Sequence, residues 1–295
     1  IYGKIYKKIY KNLVISVYKN NIYVADNIGF IYSISLNTGK LNWIKNHGIP
    51  LKSNIKVFKE KIFVINQDNR LLCFNTVDGS KIWDIRSISS FIKLQNFLSL
   101  ATSDQENIIA INSSGDLFKA KANNGDVIWS LNVSGSMNLD STDFFKTSGI
   151  VVEKNDIIFS AVFSIFSINL KDGTLNWEQN ISSADTPIID KNKIFVVTSN
   201  GHFVILNKDS GKIISSKNIL KILKKKKRLT KISGFIMGSG KVYSTTTNGY
   251  LIASSASSGQ VEYFKKIKDP IISSPIINNG KLYILTKDFR IFGFN

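Results

Sequence analysis

One cysteine, two histidines, two methionines and four prolines are all that 295 residues hold of those types. Cys73 alone can form no intrachain disulfide, and a Cys-rich metal site cannot be built from it. It stands in the apolar run Arg70-Leu71-Leu72-Cys73-Phe74, which predicts a small buried hydrophobe. His47 and His202 have no acidic or cysteine neighbour at ligand spacing, so each is expected at a strand end rather than on a metal. No run of about 18 apolar residues occurs, which excludes a membrane-spanning helix within this sequence. A start at Ile1 in place of Met, without a signal-like apolar region, predicts a mature form or a fragment.

Catalytic patterns are equally scarce. There is no Gly-x-Ser-x-Gly elbow, and the glycine-rich piece from Gly234 to Gly240 neither follows the phosphate-loop pattern nor opens a helix. The acids fall mostly in turns (Asp26, Asp68, Asp78, Asp126, Asp172), where local hydrogen bonding explains them. Neither catalytic, cofactor-binding nor metal-ligating residues are therefore expected, and the chain reads as no enzyme. Arginine is rare too: four of the 39 basic residues, in a chain of net charge +18. Surfaces that grip phosphate by bidentate forks lean on arginine, so abundant Lys, Asn and Ile read first as a compositional bias and second as a match to an anionic partner. Basicity is the only support for nucleic-acid binding, and no specific nucleic acid is expected: no recognition helix or Arg-aromatic strand accompanies it.

What the sequence has is repetition. An alternating apolar strand, a polar turn, a second alternating strand, a Gly turn and then Trp return along the chain. The first copy runs Asn21-Ile22-Tyr23-Val24-Ala25, a turn from Asp26 to Gly29, Phe30-Ile31-Tyr32-Ser33-Ile34, then Thr38-Gly39-Lys40-Leu41-Asn42-Trp43. Trp83, Trp129 and Trp177 follow Gly79, Gly125 and Gly173 at the same spacing of four, whereas Ser215 and Tyr263 take that slot after Gly211 and Gly259. These turn glycines lie 38 to 48 residues apart, the length of one four-stranded blade. Period-2 alternation, rich in β-branched and aromatic residues, excludes a helical solenoid. The four tryptophans are expected to be structural, each packing on the next blade.

The fold class that follows is all-β: a β-propeller of four-stranded antiparallel blades, a single domain over 1–295 with seven repeats visible. The blades fall near 13–45, 54–86, 92–133, 149–181, 187–218, 232–266 and 275–295. Residues 1–7 supply either a closing strand for the last blade or the outer strand of a further, eighth blade.

The pattern of apolar strand, Asn-Gly turn, aromatic-rich strand, Thr/Asp-Gly-Lys and Trp resembles the PQQ-like propeller repeat over essentially the whole chain. Within it the BamB family is most similar, on Arg228-Leu229-Thr230 through Gly240-Lys241-Val242-Tyr243, Asn248-Gly249-Tyr250-Leu251, Gly259, and Ser274-Pro275 to Phe294. That resemblance implies a non-enzymatic periplasmic scaffold of outer-membrane β-barrel assembly, a monomer within a complex, with a signal peptide and lipid anchor upstream of Ile1. It also implies a BamA-like partner whose periplasmic domains are gripped by the segments leading into blades 3 and 4. Phe91, Ile92 and Lys93 stand for the family's apolar-x-apolar-Arg run, with Lys in place of Arg. Asp140 and Asp143 stand for its paired acids, at a spacing of three rather than two, beside Phe144 and Phe145. Two other functions are weighed: a quinone-binding dehydrogenase-type propeller, for which the carboxylate base and Ca²⁺ ligands are not found, and a generic protein-binding propeller. A second break in the repeat, Lys221 to Lys231 with Lys224-Lys225-Lys226-Lys227-Arg228, reads as a solvated loop or a contact to anionic lipid.

Overall fold

The structure is a computed structural model that describes residues 13–86, 98–134, 147–161, 163–267 and 269–295, without the side chains of 225–229. Among the described residues there are seven antiparallel sheets, six of four strands and a last one of three, and in each the strands lie in chain order. This is the expected β-propeller, with seven blades among the described residues; the strand expected from residues 1–7 lies outside them. Blade 1 runs from Leu13–Tyr18 to Leu41–Asn46, and blade 2 from Lys56–Phe58 to Lys81–Arg86. Blade 3 spans Ser99–Thr102 to Val127–Asn132, and blade 4 spans Val151–Glu153 to Leu175–Gln179. Blade 5 runs from Ile188–Asp190 to Ile213–Asn218, blade 6 from Ile232–Gly238 to Val261–Lys266, and blade 7 from Ile276–Asn278 to Ile291–Phe294. The chain divides into two compact units, 1–147 with 170–174, and 148–169 with 175–295.

The middle strands read as near-continuous apolar runs because both of their faces are covered. Asn107–Ile111 is buried at every position, whereas the outer strand Val127–Asn132 of the same blade is exposed at most of its positions. Apolar clusters therefore sit between successive sheets. Tyr23, Ala25 and Ile31 of blade 1 meet Ile62, Val64 and Phe74 of blade 2, and Phe63, Leu71 and Cys73 of blade 2 meet Leu100, Ile108 and Phe118 of blade 3. Cys73 is fully buried, and burial pushes its thiol up to about 12, so the position is a hydrophobe in function as well as place.

The recurrent Trp and Gly are partners across adjacent blades. Gly79, Gly125, Gly173 and Gly211 all have φ between +71 and +81 or at +67, a conformation that glycine takes without steric cost. Each also lies flat under an indole of the preceding blade. A methyl group on Gly79 would stand 2.7 Å from Trp43, on Gly125 2.9 Å from Trp83, on Gly173 2.8 Å from Trp129, and on Gly211 2.5 Å from Trp177. Three of the four indoles also donate to a carbonyl three residues before that glycine: Trp43 to Thr76 at 3.0 Å, Trp129 to Leu170 at 3.1 Å, and Trp177 to Lys208 at 2.8 Å. Trp83 Nε1 is buried without a partner among the described residues. The Leu170 carbonyl also accepts from buried Lys119 Nζ at 3.0 Å, and burial draws that lysine's pKa down.

A β-bulge places the indole. In six blades the pairing of third with fourth strand slips at one point, so that Ser33 faces Trp43 but Ile34 faces Leu41, with Asn42 left over. The same slip leaves over Ile82, Ile128, Asn176, Ile214 and Glu262. One extra residue just before the Trp slot turns that side chain toward the following blade.

Candidate partner-binding end of the blades

Antiparallel order puts the turn between second and third strands at the same end of a blade as the connection leading to the next blade. At this end the turns are built by Asx or hydroxyl side chains. Asp26, buried, accepts from the backbone N–H of Ile28 (3.0 Å), Gly29 and Phe30 (both 2.9 Å), and from the Tyr32 hydroxyl (3.0 Å). Asn66, Asn112 and Thr198 play the same part in blades 2, 3 and 5. The outgoing connection is tied back to its own blade: His47 N–H donates to Gly29 (2.8 Å), Val133 to Gly115 (2.9 Å), Ile219 to Gly201 (2.9 Å) and Ile267 to Gly249 (2.7 Å).

The two segments expected to grip a partner leave and return at this end. Phe91, Ile92, Lys93, Asp140, Asp143, Phe144 and Phe145 lie outside the described residues, while Arg86, Leu98 and Ser134 beside them are anchored. Before residue 87 the chain ends in the outer strand Lys81–Arg86, and on its return Leu98 N–H donates to Lys52 at 2.6 Å beside a parallel bridge between Ser53 and Leu98. The Asn54 amide then brackets Leu100, accepting from its N–H at 3.2 Å and donating to its carbonyl at 3.3 Å. Before residue 135, the Ser134 hydroxyl has two acceptors within reach of its one hydrogen, the Ser114 carbonyl at 3.0 Å and Asn132 Oδ1 at 2.5 Å. The turns of blades 2 and 3 are themselves joined, Asn69 Nδ2 donating to Ser113 Oγ at 2.6 Å and Ser113 N–H to Asn69 Oδ1 at 3.1 Å. Adjacent, cross-bonded turns thus carry the roots of both segments.

Other expected residues are accounted for locally. Asp78 and Asp172 are held below the usual carboxylate range by the N–H and hydroxyl groups of Ser80 and Thr174. His47 follows the outer strand of blade 1 and lies 3.9 Å from the Phe74 ring; burial, with Lys45 and Lys81 nearby, pulls its pKa down. His202 opens the third strand of blade 5, its Nε2 3.1 Å from Asn218. Among the described residues no group of three or more His, Cys, Asp or Glu side chains converges, and no helix is long and apolar enough to cross a membrane.

Two features escape the repeat. In blade 4 Ala161 pairs directly with Ser164 where the other blades have an Asx or hydroxyl turn, and Phe163 is 66% exposed at this end of the blade. The signal lay in Ser160-Ala161-Val162-Phe163-Ser164, a turn position without Asn, Asp or Gly. Between blades 5 and 6 the basic run lies in a 3-10 segment, Ile219–Leu229, with a non-helical kink at Lys224; Lys221 and Lys224 are exposed, and the side chains of Lys225 to Arg228 lie outside the description.

The family model described as "Outer membrane protein assembly factor BamB" matches residues 11–217 and 222–295. The BamB of Yersinia pestis is 19% identical over 281 residues, covering 93% of this chain and 69% of that protein. The BamB of Escherichia coli K12 is 20% identical over 339 residues, covering 96% and 84%. Among solved structures, BamB from Moraxella catarrhalis superposes with a TM-score of 0.80 at 12% identity, covering 96% of this chain and 83% of that one. A europium-containing methanol dehydrogenase also superposes, with a TM-score of 0.68 at 12% identity over 96% and 73%. At such identities the two structures speak for the propeller fold alone.

Proposed function

The chain belongs to the family described as outer membrane protein assembly factor BamB, and from that membership we propose that it is a non-enzymatic scaffold which holds a BamA-type partner through the segments leading into blades 3 and 4. The family's role, outer-membrane protein assembly, is thereby this chain's general role. The observation that carries the membership is the span of the match, 11–217 and 222–295, because the repeat array as a whole supports it rather than one motif. The scaffold reading draws on the anchored ends Arg86, Leu98 and Ser134, set on the cross-bonded turns of blades 2 and 3. Rigid roots lower the ordering cost that a docking loop meets on binding. Such a role sets the protein in the periplasm, at the outer membrane.

An aromatic anchor beside a charged rim is the composition a protein-protein hot spot requires. Phe91, Phe144 and Phe145 supply the first; Asp140, Asp143 and Lys93 supply the second. Capture of a purified BamA-type periplasmic domain by the wild type and by Phe91→Ala/Asp143→Ala tests the reading. Loss of capture by a folded double variant is expected; undiminished capture overturns the placement of the site. Added quinone with Ca²⁺ is expected to leave the melting temperature unchanged. A ligand present at 100 times its Kd would stabilise by about 2.7 kcal/mol, and such a shift would overturn the non-enzymatic reading.

A further inference from the structure

Charge is segregated along the chain more sharply than a uniform bias would produce. Residues 210–261 hold ten basic side chains and no carboxylate, while the 21 acids are spread over the rest. Lys241 pairs with Glu262 just beyond that stretch, at 2.9 Å. Lys212, Lys217, Lys221, Lys224 and Lys231 are all exposed, and none pairs with a carboxylate among the described residues. The centre of the stretch is the 3-10 segment Ile219–Leu229, which carries Lys221 and then five consecutive basic residues from Lys224.

The segment is a mounted element with two unlike sides. Ile219, Leu220 and Leu223 are buried with Phe203, Phe235 and Tyr250. Its ends are tied to the turn of blade 5: Ile219 N–H donates to Gly201 at 2.9 Å, and Ile232 N–H, beyond the far end, to Ser199 at 3.1 Å. On the outward side stand Lys221, Ile222 and Lys224, with Ile222 37% exposed between the two lysines. An exposed apolar side chain among cations that pair with no carboxylate among the described residues is the pattern of a segment that lies on a lipid surface, where the isoleucine enters the headgroup layer and the lysines meet phosphates. Lysine suits that task better than the docking of a folded acidic protein. Its ammonium is a point charge without the planar fork that fixed carboxylate pairs select, and a bilayer offers phosphates at no fixed geometry.

We propose that the side carrying Lys217, Lys221, Ile222, Lys224 and Lys231 is a membrane-contact surface, which sets this end of blades 5 and 6 against an anionic phospholipid bilayer. The choice of a bilayer among polyanions rests on the outer-membrane reading above; the cationic, apolar-tipped surface does not. Each lysine within a Debye length of such a surface adds about fivefold to binding, so neutralising four is expected to weaken it by well over tenfold.

Co-flotation with vesicles of phosphatidylglycerol and phosphatidylcholine, against pure phosphatidylcholine, tests this. The wild type is expected to float with the anionic vesicles only, and less as salt rises. Lys221→Gln/Lys224→Gln/Lys225→Gln/Lys226→Gln is expected to lose flotation at an unchanged melting temperature. Ile222→Ser, which keeps every charge, is expected to weaken flotation several-fold and leave the salt dependence in place. Undiminished flotation of the quadruple variant, equal binding to pure phosphatidylcholine, or no flotation of the wild type would each overturn the proposal. So would capture of a BamA-type domain that fails on the quadruple variant while flotation persists, since the lysines would then serve a protein. Phe91→Ala/Asp143→Ala is expected to float normally, so the failure of either reading shows separately.

Discussion

In the joints that follow blades 1 to 4, an indole lies on the turn glycine of the next blade; after blade 5, Ser215 holds the indole's place, and Gly259 faces Lys217 Cγ at 3.2 Å and Phe203 at 3.6 Å. The bulge that aims the slot is present in both kinds of joint. The slot is thus a feature of the backbone, and its occupant is replaceable. What fills the fifth joint is an aromatic cluster of Phe195, Phe203, Phe235 and Tyr250, enlarged by Ile219, Leu220 and Leu223 from the basic segment. The fifth joint dispenses with tryptophan and carries an inserted segment that supplies apolar packing on one side and charge on the other.

That contrast is open to attack at single residues. The largest expected effect is at Trp177, 8% exposed and hydrogen-bonded to Lys208: Trp177→Ala is expected to cost about 3 to 5 kcal/mol in urea unfolding. A loss near zero would mean that the indole covers a joint which closes without it. Gly211→Ala drives a methyl group to 2.5 Å from that indole and also imposes φ +67 on alanine. A cost of about 2 to 4 kcal/mol is expected. Gly259→Ala has the conformational penalty and a closest approach of 3.2 Å to the flexible Lys217 side chain, which can yield, and about 1 kcal/mol is expected there. Equal costs at the two glycines would erase the distinction between the joints.

A smaller difference separates two indoles of the same kind. Trp177→Phe breaks a hydrogen bond, worth about 1 kcal/mol, whereas Trp83→Phe removes a buried N–H that has no partner among the described residues and is expected to cost clearly less. His47 gives the weakest signal. Its folded pKa lies below the ordinary value, so the unfolded chain binds the proton more readily, and stability is expected to fall as pH drops through about 6.5 and below. His47→Gln should flatten the dependence of melting temperature on pH between 7 and 5; an unaltered slope would assign it to other groups.

The blades, their order and the Trp-to-next-blade contact were legible because period-2 alternation and a glycine at fixed spacing are local signals with direct backbone causes. The indole's particular partner was harder to read. Trp43 and Gly79 are 36 residues apart, and only the stacking of sheets reveals that each glycine serves the preceding blade's tryptophan. The bulge was hidden for another reason: Asn42, Ile82, Ile128, Asn176, Ile214 and Glu262 share no chemistry, since an unpaired residue on an outer strand answers to no packing constraint. Phe163 gives no such signal, because it breaks the turn pattern without adding charge or glycine. The turn acids Asp78 and Asp172 are legible from their place beside the turn glycines, as their partners lie two residues away.

The central claim is that the partner is held at the end of the blades where residues 87–97 and 135–146 are rooted, and not at the opposite end. Val77, 77% exposed in the turn between third and fourth strands of blade 2, marks that opposite end. Calorimetric titration of a BamA-type periplasmic domain into the wild type, Phe91→Ala/Asp143→Ala and Val77→Asp measures the claim directly. A rise in Kd of at least about 30-fold is expected for the double variant, the ~2 kcal/mol that marks a hot spot, with Val77→Asp unchanged. An unchanged Kd for the double variant, with binding lost in Val77→Asp, would place the partner on the other end of the blades and contradict the account.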